Sequence, residues 1–131
     1  MAKKTSVTMG RGTILVVDDE EVVSEMISEM LIAVGYTVKI VSSGAAAVTL
    51  YKTDSSRINL VVLDILMPGM NGFETYDRLK EINPSIKVIF SSGYSSDEQT
   101  HRILRTDKQY FLQKPFTLTE LSEVIRKAIE P

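Results

Sequence analysis

Leu60-Val61-Val62-Leu63 is an unbroken apolar row that runs straight into a carboxylate, Asp64. A row of this kind has no polar face, so as a strand it must be covered on both sides. A parallel sheet with helices above and below provides that cover. Asp64 then stands where the strand leaves the sheet. Beyond it, Pro68-Gly69 suits the centre of a turn, because Pro restricts φ and Gly accepts positive φ. Asn71 with Glu74 predicts a capping box opening a helix from about Gly72 to Ile82, which Asn83-Pro84 ends. The unit is strand, acidic tip, turn, helix.

The same unit recurs along the chain. Thr13 to Val17 predicts a strand that runs into Asp18-Asp19-Glu20. Val22, Val23, Met26, Ile27, Met30, Leu31 and Val34 then recur at helical spacing over residues 20–34, and Gly35 stops that helix. Residues 36–41 form a shorter strand. Ser43 is the N-cap of an Ala-rich helix over 45–52, and 53–59 reads as a polar loop. Ile86 to Phe90 predicts the fourth strand, leading into Ser91-Ser92-Gly93-Tyr94. Ser95 with Glu98 resembles another capping box, but the helix after it has only Ile103 and Leu104 as clear anchors. It is expected to be the least stable helix. Tyr110 to Leu112 is a short fifth strand ending in Gln113-Lys114-Pro115-Phe116. Thr117 with Glu120 caps a last helix carrying Leu121, Val124, Ile125 and Ala128.

Five βα units in 131 residues predict one α/β domain, an open parallel sheet between two helical layers with right-handed crossovers. Residues 1–11 are polar and are expected to be a flexible leader, with the folded domain over 12–131. In such sheets ligands bind at the carboxyl ends of the strands.

Composition narrows the chemistry. There is no cysteine and one histidine, which excludes disulfides, thiolate sites and multi-His metal centres. The net charge of −2 argues against nucleic-acid binding through a broad basic face. No apolar run approaches the roughly 20 residues of a membrane span, and the polar start lacks a signal-peptide core. A cytoplasmic protein without membrane contact is expected.

The strand ends deliver a specific set to one edge: Asp18 and Asp19 from the first, Asp64 from the third, Ser92 (with Ser91 as a second candidate) from the fourth, Lys114 from the fifth. Adjacent carboxylates repel unless they take up protons or a cation neutralises them. Oxygen-only ligands favour a hard cation such as Mg²⁺, which prefers one or two carboxylates plus phosphate oxygens. A carboxylate can itself be the nucleophile of aspartyl-phosphate chemistry, and Mg²⁺ and a lysine would stabilise the transferring group. Each residue alone has a plainer reading: an Asp after a strand is commonly an N-cap, a Lys before Pro a solvated residue, Ser-Gly a turn. The methionines read as packing and His101 as exposed.

Taken together, Ile14-Leu15-Val16-Val17-Asp18-Asp19-Glu20, then Leu63-Asp64 with Met67-Pro68-Gly69-Met70-Asn71-Gly72, then Ser92-Gly93-Tyr94, then Lys114-Pro115-Phe116 resemble the receiver domain of two-component response regulators, as in the chemotaxis regulators. The resemblance covers about residues 12–129. It implies a flavodoxin-like fold with strand order 2-1-3-4-5. It implies that Asp64 is the phosphorylated aspartate and that Asp19 ligates Mg²⁺ directly, with Asp18 assisting and the backbone carbonyl of Leu66 as a further ligand. It also implies Ser92 as the switch hydroxyl, Lys114 paired with the phosphate or Asp64, a cis Lys114-Pro115 bond, and Phe111 as the switch aromatic. The phosphoryl donor it implies is a phosphohistidine on a sensor histidine kinase or histidine phosphotransfer protein.

The family pattern is not matched everywhere. The switch position carries Ser in place of the commoner Thr, and Thr106-Asp107-Lys108-Gln109 stands where a Gly-Ala pair is usual. The two positions that commonly tune loss of phosphate carry Leu66 and Tyr94, neither able to orient a water, so slow loss is expected. The resemblance describes a phosphoacceptor, not an enzyme, with at most slow self-phosphorylation from small donors. Its output face would be the weak fourth helix, fifth strand and last helix. Arg102, Arg105, Lys108, Arg126 and Lys127 lie on or near that face and could serve a partner or a homodimer. Gly-Arg-Gly-Thr before strand one and Ser-Gly-Tyr after strand four resemble receivers attached to hybrid kinases. Two other readings stay open: a receiver-like interaction module that never takes phosphate, and an Mg²⁺-dependent aspartyl-phosphate phosphohydrolase. The latter would want a D-x-D pair after its first strand, where this chain has Asp18-Asp19-Glu20.

Overall fold

The computed structural model describes residues 10–93, 102 and 107–129. In chain order they form β1 (Thr13–Val17), α1 (Glu21–Ala33), β2 (Thr37–Val41), α2 (Gly44–Asp54), a 3-10 turn (Ser55–Arg57), β3 (Leu60–Asp64), α3 (Gly72–Ile82), β4 (Val88–Ser92), β5 (Tyr110–Gln113) and a C-terminal helix (Leu118–Ile129). The five strands make one sheet in the order β2-β1-β3-β4-β5, and all four pairings are parallel. This is the predicted architecture.

Alternation along the strands builds two cores. Leu15, Val17, Val61, Leu63 and Phe90 meet Tyr51 of α2 and Phe73, Tyr76 and Leu79 of α3. Ile14, Val16, Leu60, Val62 and Ile89 meet Ile27 and Leu31 of α1 and Leu121 and Ile125 of the C-terminal helix. Every residue of β3 is buried, because it is the central strand and both faces are covered.

The helix starts follow from the caps. Ser43 Oγ accepts from the Ala46 N–H at 3.1 Å. Asn71 and Glu74 form the full capping box, at 2.9 Å each way. Thr117 and Glu120 form another, at 2.8 and 3.1 Å. Gly35, at φ +104°, supplies the left-handed residue after α1.

Two expectations shift. The fourth strand lies at 88–92 rather than 86–90. Asn83 Oδ1 accepts from the Ser85 N–H and the Asn83 carbonyl from the Ile86 N–H, each at 3.0 Å, so Ile86 closes a turn. Ser91 and Ser92 are then drawn into the ladder opposite Asp64 and Gln113. The polar loop at 53–59 is largely helical, since α2 runs on to Asp54 and the 3-10 turn follows. The buried ring of Tyr51 holds that last turn against the core. The weak helix lies largely outside the described residues, as do Tyr94, the Ser95–Glu98 pair, His101 and Arg105; Arg102 and Asp107 are helical.

The segment that lacks the usual Gly-Ala pair is stabilised by its neighbours. Lys108 adopts φ +58°, a left-handed conformation that costs an ordinary residue about 1–2 kcal/mol. On one side, Asp107 accepts from the buried Tyr76 hydroxyl at 2.7 Å and from Lys80 at 3.0 Å. On the other, Gln109 accepts from the Val88 N–H at 2.8 Å and donates to the Ile86 carbonyl at 2.9 Å. Both flanks of Lys108 are thereby tied to α3 and β4.

Candidate functional site

The carboxyl ends of the central strands converge as the order β1-β3-β4-β5 requires. Val17 is in register with Leu63, so Asp18 and Asp64 leave the sheet side by side. Asp64 is paired with Ser91 and Ser92 with Gln113. The Lys114 N–H donates to the Ser92 carbonyl at 2.8 Å, which continues the ladder and brings Lys114 to the same edge. Lys114-Pro115 is cis.

The turn after β3 is tightly placed. Gly69 has φ +73°, as a turn built on Pro68-Gly69 requires. Gly72 donates to the Ile65 carbonyl at 2.8 Å. A Cβ on Gly72 would lie 2.5 Å from the Asp64 carbonyl oxygen, so only glycine lets α3 start directly behind β3.

Asp18, Asp19 and Asp64 each offer a carboxylate oxygen, all within 4.8 Å of one another. Asp18 and Asp64 are buried, whereas Asp19 is exposed. Asp18 is used twice: Oδ1 accepts from the Glu20 N–H at 2.9 Å, and Oδ2 from the Lys114 ammonium at 2.9 Å. The bond to Glu20 is a local turn bond and not a helix cap, because Glu20 is itself the N-cap of α1 and no side chain caps that helix; Asp18 does not bear out the N-cap reading. Lys114 lies farther from Asp64 Oδ1, at 3.5 Å.

Burial pushes the Asp64 carboxyl up to about 6, and the charges of Asp18 and Asp19 add to that rise. Lys114 and a hydrogen bond from the Leu66 backbone pull the other way without cancelling it. For Lys114, burial works against the charge. The hydrogen bond to Asp18 and the charges of Asp64, Asp18 and Glu20 outweigh it and hold the ammonium above the ordinary lysine value.

Above these groups opens a cleft of about 520 Å³ lined by Asp19, Glu20, Asp64, Leu66, Ser92, Gly93 and Lys114. Its volume suits a small anionic group with its water, and it has both an acidic wall and an ammonium. The structure thus brings Asp18, Asp19, Asp64, Ser92 and Lys114 together. Leu66 stands at the rim with its side chain half exposed. Phe111 is not in the cleft; it is half-buried against the core on the α2–α3 side. Glu20 was not singled out from sequence, although it directly follows the acidic pair. It lines the cleft because α1 starts immediately after it.

The donor set fits a hard divalent cation: carboxylate oxygens only, clustered and mostly buried. No helix among the described residues is long and apolar enough to cross a membrane.

A family model described as the response regulator receiver domain matches residues 14–126. The chain is 33% identical over 128 residues to the sensor kinase CckA of Brucella abortus, covering 98% of this chain and 14% of that protein. It is 32% identical over 117 residues to the response regulator protein TodT of Pseudomonas putida, covering 89% of this chain and 51% of that protein. The chain therefore spans at most about half the length of these two relatives. A response regulator receiver domain protein from Clostridium thermocellum superposes with a TM-score of 0.79 at 29% identity, covering 90% of this chain and 94% of that one.

Proposed function

This chain belongs to the response regulator receiver domain family of two-component systems, and on that premise we propose that it is a phosphoacceptor switch in which Asp64 is the phosphorylated residue. The observation that carries the reading is the placement of Asp64: a buried carboxylate at the end of the central strand, facing an open cleft, with Lys114 at 3.5 Å.

In the proposed reaction an Asp64 carboxylate oxygen attacks the phosphorus of a phosphohistidine. The P–N bond breaks, the imidazole leaves with the bonding pair, and an acyl phosphate remains on Asp64. The donor is a sensor histidine kinase or a histidine phosphotransfer protein. With a pKa of about 6, Asp64 is mostly ionised at neutral pH and ready to act as nucleophile. The Leu66 N–H holds its orientation. Asp18, Asp19, Asp64 and the Leu66 carbonyl are the proposed Mg²⁺ ligands, and Mg²⁺ supplies neutralisation of the charge gathered on the phosphoryl oxygens. Lys114 adds a second positive charge from the β5 side. Ser92 donates its hydroxyl to a phosphoryl oxygen, and Phe111 turns further inward as Ser92 moves. The surface built from the segment before β5, β5 itself and the C-terminal helix changes shape in response. That surface is the proposed homodimer or partner face, where Arg102, Lys108, Arg126 and Lys127 contribute positive charge. A cytoplasmic setting without nucleic-acid binding completes the reading.

Intact-mass measurement after incubation with a small phosphodonor and Mg²⁺ tests it. One stable phosphate adduct, lost in Asp64→Ala, supports the switch. Continuous release of phosphate points to a phosphohydrolase. No adduct and no Mg²⁺-dependent beryllofluoride binding point to an interaction module. Sedimentation with and without beryllofluoride tests the homodimer, and an unchanged mass refutes it.

A further inference from the structure

Among the described residues, Ser91 has the one buried side-chain polar atom without a hydrogen-bond partner. A buried hydroxyl left unpaired costs free energy, so its presence beside a reactive site calls for a reason. We propose that Ser91 is a positioning residue whose hydroxyl oxygen receives the Lys114 ammonium when a divalent cation takes Asp18. The proposal rests on the phosphoacceptor reading above.

The sheet geometry places Ser91 for this task. Partners in register on parallel strands point to the same face. Asp64 is in register with Ser91, and Ser91 with Leu112. Asp18 lies beside Asp64 by continuation of the β1–β3 register. Asp18, Asp64 and Ser91 thus form one row on the face that carries Val16, Val62, Ile89 and Leu112. Lys114 is two residues beyond Leu112 on that face. Its ammonium nevertheless reaches Asp64 on β3 and Asp18 beyond it on β1. The lysine stem must therefore cross the end of β4, on the side where Ser91 points.

Lys114 is extended to Asp18 at 2.9 Å, and Ser91 Oγ has no hydrogen-bond partner. A cation on Asp18, Asp19 and Asp64 repels the ammonium and competes for its closest acceptor. The lysine then withdraws towards its own strand, back across β4. An ammonium carries three donors and needs acceptors for them in a part-buried place. Ser91 Oγ is an uncommitted acceptor on that path. Its hydroxyl thus costs stability in the metal-free protein and lowers the free energy of the metal-bound one.

Those opposite signs make the test. Mg²⁺ is titrated calorimetrically into the full chain, Ser91→Ala, Lys114→Met and the double variant. Ser91→Ala is expected to bind Mg²⁺ about tenfold more weakly, the scale of one hydrogen bond to a charged group. In the Lys114→Met background the same change is expected to have no effect, because Ser91 acts through the lysine. In metal-free buffer, Ser91→Ala is expected to unfold at the same or higher denaturant concentration than the wild type. Unchanged Mg²⁺ affinity in Ser91→Ala overturns the proposal, as does an equal loss in both backgrounds or a drop in metal-free stability. If the wild type itself binds no Mg²⁺, the phosphoacceptor reading falls and this proposal with it.

Discussion

Replacing Asp64 by asparagine is expected to stabilise the metal-free protein. The buried Asp64 carboxyl titrates near 6 rather than at its ordinary 3.8, so the fold binds its proton more tightly than the unfolded chain does. A folded-state pKa raised this way makes stability fall as pH rises from about 4 to about 6, and the deficit persists above that range. About two units at 1.36 kcal/mol each give a deficit of about 3 kcal/mol at pH 7 and under about 1 kcal/mol at pH 4. Asparagine keeps the shape and removes the charge, while Lys114 retains its shorter bond to Asp18 at 2.9 Å. Asp64→Asn should therefore gain most of this at pH 7 and little at pH 4. Urea unfolding in chelator at the two pH values measures it. Saturating Mg²⁺ should narrow or reverse the difference, since a ligand that binds only the fold stabilises it by mass action. A metal-free Asp64→Asn no more stable than the wild type at pH 7, or a gain independent of pH, refutes the reasoning.

Lys114→Ala leaves two buried carboxylates without their cation and should cost about 2–3 kcal/mol in metal-free buffer; thermal unfolding should show Mg²⁺ restoring part of it. Tyr76→Phe removes the hydroxyl that donates to Asp107 at 2.7 Å and should cost about 1 kcal/mol in urea. An unchanged midpoint would show that Lys108 keeps its left-handed turn without that anchor. The phosphoryl group on Asp64 should persist for minutes or longer, and Leu66→Asn should shorten its lifetime roughly tenfold by orienting water, less than a full general base achieves. A wild-type lifetime of seconds, read by intact mass, would contradict this.

What was legible in the sequence is what short stretches encode. The apolar row Leu60–Leu63 predicts a central buried strand, and Asn71 with Glu74 predicts the helix start found at Gly72. Recurring βα units predict the parallel sheet, and the sheet then brings the strand-end residues Asp18, Asp64 and Lys114 to one edge. These readings depend on contacts within a few residues or on period, so one sequence carries them. The end of β4 was less legible, because Ser91 and Ser92 have no strand signature of their own. Pairing with Asp64 and Gln113 draws them into the ladder.

Local sequence dictates which chemical groups reach the cleft, and packing across the whole chain dictates how they are matched. Lys114 bonds Asp18, 96 positions away, more closely than Asp64. The raised pKa of Asp64 comes from burial under elements drawn from the whole chain. The unpaired hydroxyl of Ser91 follows from its burial at the end of β4, between β3 and β5. Each depends on distances of a few ångströms between side chains that are remote in sequence, and those distances exist only once the sheet and its two helical layers have closed.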